Sequence, residues 1–181
     1  TGKTVRGGKI QVIMALDPAG KIDNEKLPLI LNQTPSGPLF SFSNPNERVA
    51  STDGVYVEVI HTNLGRLGFD QPIGQADFFP NFGVNMPGCE SDITGQCSHS
   101  RSHLYYAESI NAPFTGQECS SFAEIRNNQC TPTGRTARMG GPHGNIGLTG
   151  IIILPPTLSR LFQEAKNSLS KMLFINSKSE Q

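Results

Sequence analysis

Neither sign of charge is in excess in these 181 residues: 15 Lys plus Arg stand against 15 Asp plus Glu, which leaves no basic field for nucleic acid and no acidic tail. No apolar run is long enough to cross a membrane as a helix. Nothing repeats at the period of a solenoid. The four cysteines include no Cys-x-x-Cys pair of the kind zinc knuckles use. The chain opens on Thr1 with no charged-then-apolar leader, so it reads as an internal piece of a longer chain with any signal peptide outside view. What is abundant is glycine, at 19, and proline, at 13, which favours a loop-rich β or α/β architecture over a helical bundle. Thr1-Gly2-Lys3-Thr4 imitates the end of a phosphate-binding loop, but Gly7-Gly8 interrupts where such a loop enters its helix.

The most informative stretch is Ile10 to Leu16, an apolar run with little alternation that predicts a core strand buried on both faces. It stops at Asp17-Pro18, so a carboxylate is delivered at the carboxyl end of a strand, the edge of α/β sheets where ligands bind. A second strand is predicted over residues 55–60, Val-Tyr-Val-Glu-Val-Ile, ending at His61-Thr62-Asn63. Downstream, Ser98 is predicted to cap a helix with apolar positions at Leu104, Tyr105, Ala107 and Ile110, which sets His99 at the helix start. Asp17 and His99 then supply the acid and base of a nucleophilic triad, in the order α/β-hydrolases use after their serine.

Val12 to Gly20 resembles the acid-bearing segment of the pancreatic lipase family. So do Ala50 to Asn63, Pro72 to Asn81, and Cys97-Ser98-His99-Ser100-Arg101, all in the family's order. The wording is most similar to arthropod lipases and phospholipases A1. The resemblance implies the C-terminal part of an α/β-hydrolase fold over residues 1–154, with a mostly parallel sheet and flanking helices. It also implies Asp17 as triad acid and His99 as triad base, in preference to the rival imidazole of His61. Four cysteines allow three pairings; the family's are sequential, Cys89 with Cys97 and Cys119 with Cys130, as suits a secreted, extracellular protein.

Several departures matter. The Gly-x-Ser-x-Gly nucleophile elbow is absent, and family order sets it just upstream of Thr1, so these residues hold two thirds of a triad and are not expected to hydrolyse an ester alone. The family runs from the acid's Pro-Ala-Gly into an apolar pair, here Leu39-Phe40, yet residues 21–37 intervene as an insertion or a retained intron. Asp53 matches one carboxylate of a structural calcium site seen in some relatives, but its companion position is Ala50, so no cofactor is expected. Gly65 to Gly88 reads as an aromatic loop whose Phe78 and Phe79 are candidates for contact with acyl chains.

The ring that carries the family's lid is only Glu90 to Gln96 here, too short and polar for an amphipathic flap. An open site, with little interfacial activation and a preference for phospholipid sn-1 or soluble esters, is therefore expected. Ile151 to Leu154 reads as a terminal strand. Residues 155–181 are expected to form a divergent amphipathic helical tail, able to pack on the domain or touch a lipid surface, and no C-terminal β-sandwich is expected within this sequence. The expected function is that of a secreted carboxylic-ester hydrolase acting on triacylglycerol or phospholipid. The alternative is a non-catalytic storage or lipid-binding relative of the yolk-protein type.

Overall fold

The computed structural model describes residues 8–20 and 46–155. The expected insertion at 21–37, the phosphate-loop imitation at Thr1 to Thr4, and all of the expected tail except Pro155 lie outside the described residues. Six strands form one sheet: β1 (Ile10–Leu16), β2 (Gly54–Ile60), β3 (Ala76–Pro80), β4 (Phe114–Cys119), β5 (Pro132–Met139) and β6 (Gly150–Leu154), in the order β1-β2-β3-β6-β4-β5. The pairs β1–β2, β2–β3 and β3–β6 are parallel, whereas β6–β4 and β4–β5 are antiparallel. The sheet is therefore mixed, with three parallel pairs and two antiparallel ones at the β6-β4-β5 end. Among the described residues two α-helices accompany it, α1 (Gln96–Asn111) and the short α2 (Phe122–Arg126), with a 3-10 turn at Asn81–Gly83.

Alternation along β2 sends Tyr56 and Ile60 to one face and Val57 and Val59 to the other. The first face gathers Phe78, Ile152 and Leu154 from neighbouring strands and Tyr105 from α1 into the largest core cluster. Elsewhere, Phe79 joins Ile125 of α2 and the half-cystine Cys119. Both faces of the central strands are thus covered, as a parallel sheet requires.

Three expectations are corrected. β1 forms where predicted but lies at an edge of the sheet among the described residues, where only Ala15 is fully buried and Val12, Ile13, Met14 and Leu16 are half-buried. The stretch 65–88 is not a continuous loop, because Ala76 to Pro80 pairs with β2 on one side and β6 on the other. Phe78 and Phe79 are consequently 0% exposed core residues rather than side chains of an open loop. The helix begins earlier than Ser98, at Gln96, with Gly95 at the N-cap. Its buried face runs through Ser98, Ser102, Tyr105 and Ser109, while Ala107 and Ile110 are exposed.

Both expected disulfides are formed, Cys89–Cys97 just before and inside the first turn of α1, and Cys119–Cys130 across the loop that contains α2. Each closes a small ring and constrains the unfolded chain by about 2–3 kcal/mol in the chain-entropy account.

Candidate active site

Asp17 follows β1 directly, and His61-Thr62-Asn63 follow β2, its parallel neighbour, so both segments emerge at the same edge of the sheet. The Asp17 N–H donates to Ile60 O at 2.8 Å, which extends the ladder by one residue before the chain turns. The turn is abrupt: Asp17 has φ of 45°, a left-handed conformation uncommon for a residue with a side chain. It aims a wholly buried carboxylate across the neighbouring strand end.

That carboxylate is held on both oxygens. Oδ1 accepts the backbone N–H groups of Thr62 at 2.8 Å and Asn63 at 3.1 Å. Oδ2 lies 2.6 Å from Nδ1 of His99. Gly68 closes the remaining side, since a Cβ there would stand 2.6 Å from Oδ2 and nearer still to Oδ1. A buried carboxylate needs such compensation, and backbone donors supply it without moving.

His99 enters from α1. Gly95, in a left-handed conformation, starts the helix, and its carbonyl accepts the His99 N–H at 2.9 Å. The cap comes from Asp92, whose Oδ2 accepts Ser98 N–H at 2.8 Å. Burial pushes the Asp92 carboxyl up, but hydrogen bonds from the Ser98 and Cys97 amides, the Ser98 hydroxyl and the Gly95 amide outweigh it and hold its pKa below the usual carboxylate value. Thr62 adds a further tie, its hydroxyl donating to His99 O at 3.4 Å. The hydrogen bond to Asp17 raises the His99 pKa above the ordinary imidazole value, burial opposes it, and the charge of Asp17 adds to the rise.

The imidazole itself is 35% exposed. With Nδ1 on the acid, Nε2 has no hydrogen-bond partner among the described residues. Such an arrangement can accept a proton at Nε2 while the buried carboxylate stabilises the resulting imidazolium.

The other candidates are placed elsewhere. His61 is wholly buried, 2.8 Å through Nε2 from Oδ1 of Asp77 and stacked on Phe79 with ring centroids 4.6 Å apart, so it is no rival for Asp17. Asp53 closes a turn, its Oδ2 accepting the Ala50 N–H at 3.1 Å, and lies close enough to Arg48 to interact with its charge. A hard cation would need several oxygen ligands there, and neither the turn nor Ala50 offers a second carboxylate. Among the described residues, the one cluster with metal-ligand geometry is Cys89, Asp92 and Cys97, and both of its sulfurs are spent in the disulfide.

Sequence reasoning missed Thr62, Asn63, Gly68 and Asp92. Three of them act through backbone atoms or through a missing side chain, which no residue pattern advertises. Asp92 is six positions before the amide it binds, outside the spacing of an ordinary N-cap.

The family model described as Lipase matches residues 1–148. Lipase member H of Oryctolagus cuniculus is 36% identical over 123 residues, covering 64% of this chain and 27% of its own length. Pancreatic triacylglycerol lipase of Cavia porcellus is 35% identical over 149 residues, covering 67% of this chain and 32% of its own. Lipase member H-A of Xenopus laevis is 36% identical over 119 residues, covering 62% and 26%. The chain spans about a quarter to a third of the length of the curated relatives it matches.

Proposed function

We propose, because the chain belongs to the lipase family, that the whole protein hydrolyses carboxylic esters of lipids and that Asp17 and His99 are two members of its catalytic triad. The observation that carries this reading is the 2.6 Å contact between a buried acid and a half-buried base whose second nitrogen is unengaged among the described residues. In this mechanism His99 Nε2 takes the proton of a serine hydroxyl as that oxygen attacks the ester carbonyl. It then returns the proton to the leaving alcohol, and in the second half a water, deprotonated by the same nitrogen, attacks the acyl-serine, which releases the carboxylic acid and takes the proton back on the serine oxygen. Asp17 keeps Nδ1 protonated and stabilises the imidazolium, but stays ionised throughout. The mechanism also requires a serine nucleophile and oxyanion donors; this sequence has no Gly-x-Ser-x-Gly elbow, so we assign them to the remainder of the full-length protein. No cofactor takes part in this chemistry.

The short Cys89–Cys97 ring supports a phospholipase A1-type or soluble-ester preference over emulsified triacylglycerol. Arg66 donates to Asp92 O at 3.0 Å and Ile93 O at 2.7 Å, and Asp92 caps α1, so the ring is tied down on both sides. A ring held in this way does not swing as a flap. Two disulfides are in keeping with a secreted protein.

The test is hydrolysis by the full-length protein, assayed with phospholipid, triacylglycerol and a soluble ester, together with a serine-directed phosphonate label. Expected are labelling, turnover, and loss of turnover in His99→Gln. A folded protein that binds lipid vesicles yet takes no label and cleaves none of the three would overturn the enzyme reading in favour of a lipid-binding relative. A sharp rise of activity at the solubility limit of a triacylglycerol would overturn the specificity.

A further inference from the structure

Asn63 is wholly buried and every one of its polar atoms is engaged. Its N–H donates to Asp17 Oδ1 at 3.1 Å. Its carbonyl accepts the amides of Gly68 at 3.0 Å and Arg66 at 3.3 Å. Its side-chain Oδ1 accepts the Leu67 N–H at 2.9 Å, and Nδ2 reaches Val84 O at 3.5 Å. Together these bonds wind residues 63–68 into a compact turn. The turn grips the Asp17 carboxylate from two directions, with the amide of Asn63 on one side and the bare Cα of Gly68 on the other.

The same side chain touches the base's helix. A Cβ added to Gly95 would lie 2.6 Å from Asn63 Oδ1 and 3.2 Å from Nδ2, so the amide group packs directly against the N-cap of α1. Gly95 in turn holds the His99 N–H on its carbonyl. One residue therefore fixes the acid through its main chain and the root of the base's helix through its side chain.

We infer that Asn63 is a positioning residue that sets the spacing between Asp17 and His99 by joining the acid's turn to the base's helix. The contact with Gly95 serves the relation between the two groups: an added Cβ would press on the Asn63 amide, beside the separate preference for glycine that its left-handed φ of 82° imposes. The inference rests on the reading that Asp17 and His99 work as a pair, but its test does not depend on turnover.

The test follows the titration of His99 by NMR in the full-length protein with isotope-labelled histidine, alongside the low-field resonance of the proton between His99 and Asp17. In Asn63→Ala the resonance should broaden or vanish, and the His99 titration should fall toward the ordinary imidazole value. The kcat should drop on the order of tenfold to a hundredfold with KM nearly unchanged, as for a small misplacement of reacting groups. Should Asn63→Ala not fold, Gly95→Ala presses on the same amide while leaving the Asn63 side chain intact. Gly134→Ala is its control: Gly134 has φ of 89° against 82° at Gly95, but an added Cβ there meets nothing within 4 Å. Expected is a shifted His99 titration in Gly95→Ala and none in Gly134→Ala. An unmoved titration and resonance in folded Asn63→Ala, or in Gly95→Ala where that is the variant that folds, would overturn the inference. A shifted titration in a protein that hydrolyses no ester would leave the coupling standing and sink the enzyme reading alone.

Discussion

Asp17 and His99, 82 positions apart in sequence, meet at 2.6 Å between a carboxylate that solvent does not reach and an imidazole that it does. The asymmetry supports the roles proposed for them. The carboxylate is locked by backbone amides, and the imidazole keeps one nitrogen without a hydrogen-bond partner among the described residues.

Asp17→Asn should lower kcat on the order of 10⁴-fold, because an amide cannot stabilise the imidazolium and favours the wrong tautomer. Folding should survive, since asparagine tolerates the left-handed backbone that Asp17 adopts at φ 45°. With the main cause of its raised pKa removed, His99 should titrate lower and the acid limb of the pH–rate profile should move to lower pH. A raised imidazole pKa stabilises the fold fully below the ordinary value of 6.5, and that contribution fades as pH rises through the folded value. The stability gap between wild type and Asp17→Asn should therefore narrow as pH rises through that window, as thermal melts across a pH series would show.

Gly68→Ala tests the far wall of the acid's enclosure. The new methyl meets the Asp17 carboxylate at less than contact distance, so either the turn or the acid must move. A stability loss of about 1–3 kcal/mol is expected from overpacking. The kcat should fall more than KM rises, measurable with a soluble ester.

Glu58→Gln tests a carboxyl group buried on β2. Glu58 is 0% exposed, takes the Tyr56 hydroxyl at 2.6 Å and the Gly140 amide at 2.6 Å, and so pins the loop after β5 onto β2. Burial raises its pKa, with the hydrogen bonds from Tyr56, Gly140 and Asn145 opposing. The sign follows: this group's contribution is present below the ordinary 4.5 and is lost as pH climbs through the raised value. Glutamine keeps an acceptor and does not titrate. The stability difference should therefore shift in favour of the variant as pH rises above 4.5, read from urea midpoints at successive pH values.

Asp92→Ala removes the cap of α1 and should cost about 1 kcal/mol of stability. A depressed carboxyl pKa stabilises above the ordinary 3.8 and loses that contribution as pH falls through the folded value. The penalty should thus be full at neutral pH and shrink in acid, checked by melts of both proteins.

What could be read from sequence follows the physics of burial. β1, β2 and β6 are β-branched apolar runs and stood out as strands. β3 did not, because its five residues include Asp77, whose carboxylate is buried where it accepts the amides of Ile73 and Gly74, just before the strand, and meets His61, just after β2. β5 shows almost no apolar face, with only Ala137 and Met139 buried, so no alternation marks it. The helix was found but its buried side was misjudged: serines 98, 102 and 109 line that side, where leucines would ordinarily signal it. The pairing of Asp17 with His99, proposed above as acid and base, was legible as a motif. The amides that clamp the acid were not, since every residue has an amide and only the fold selects two of them.

The position of β6 has a consequence for how the chain is made. Although last in sequence among the six strands, it fills the middle of the sheet, bonded to β3 on one side and β4 on the other. Until Gly150 to Leu154 leaves the ribosome, two half-sheets face each other with bare edges, inviting capture by other nascent chains. A premature stop shortly before residue 150 would remove only the last of the six described strands yet separate β1–β3 from β4–β5, and its product should be found with chaperones or in aggregates.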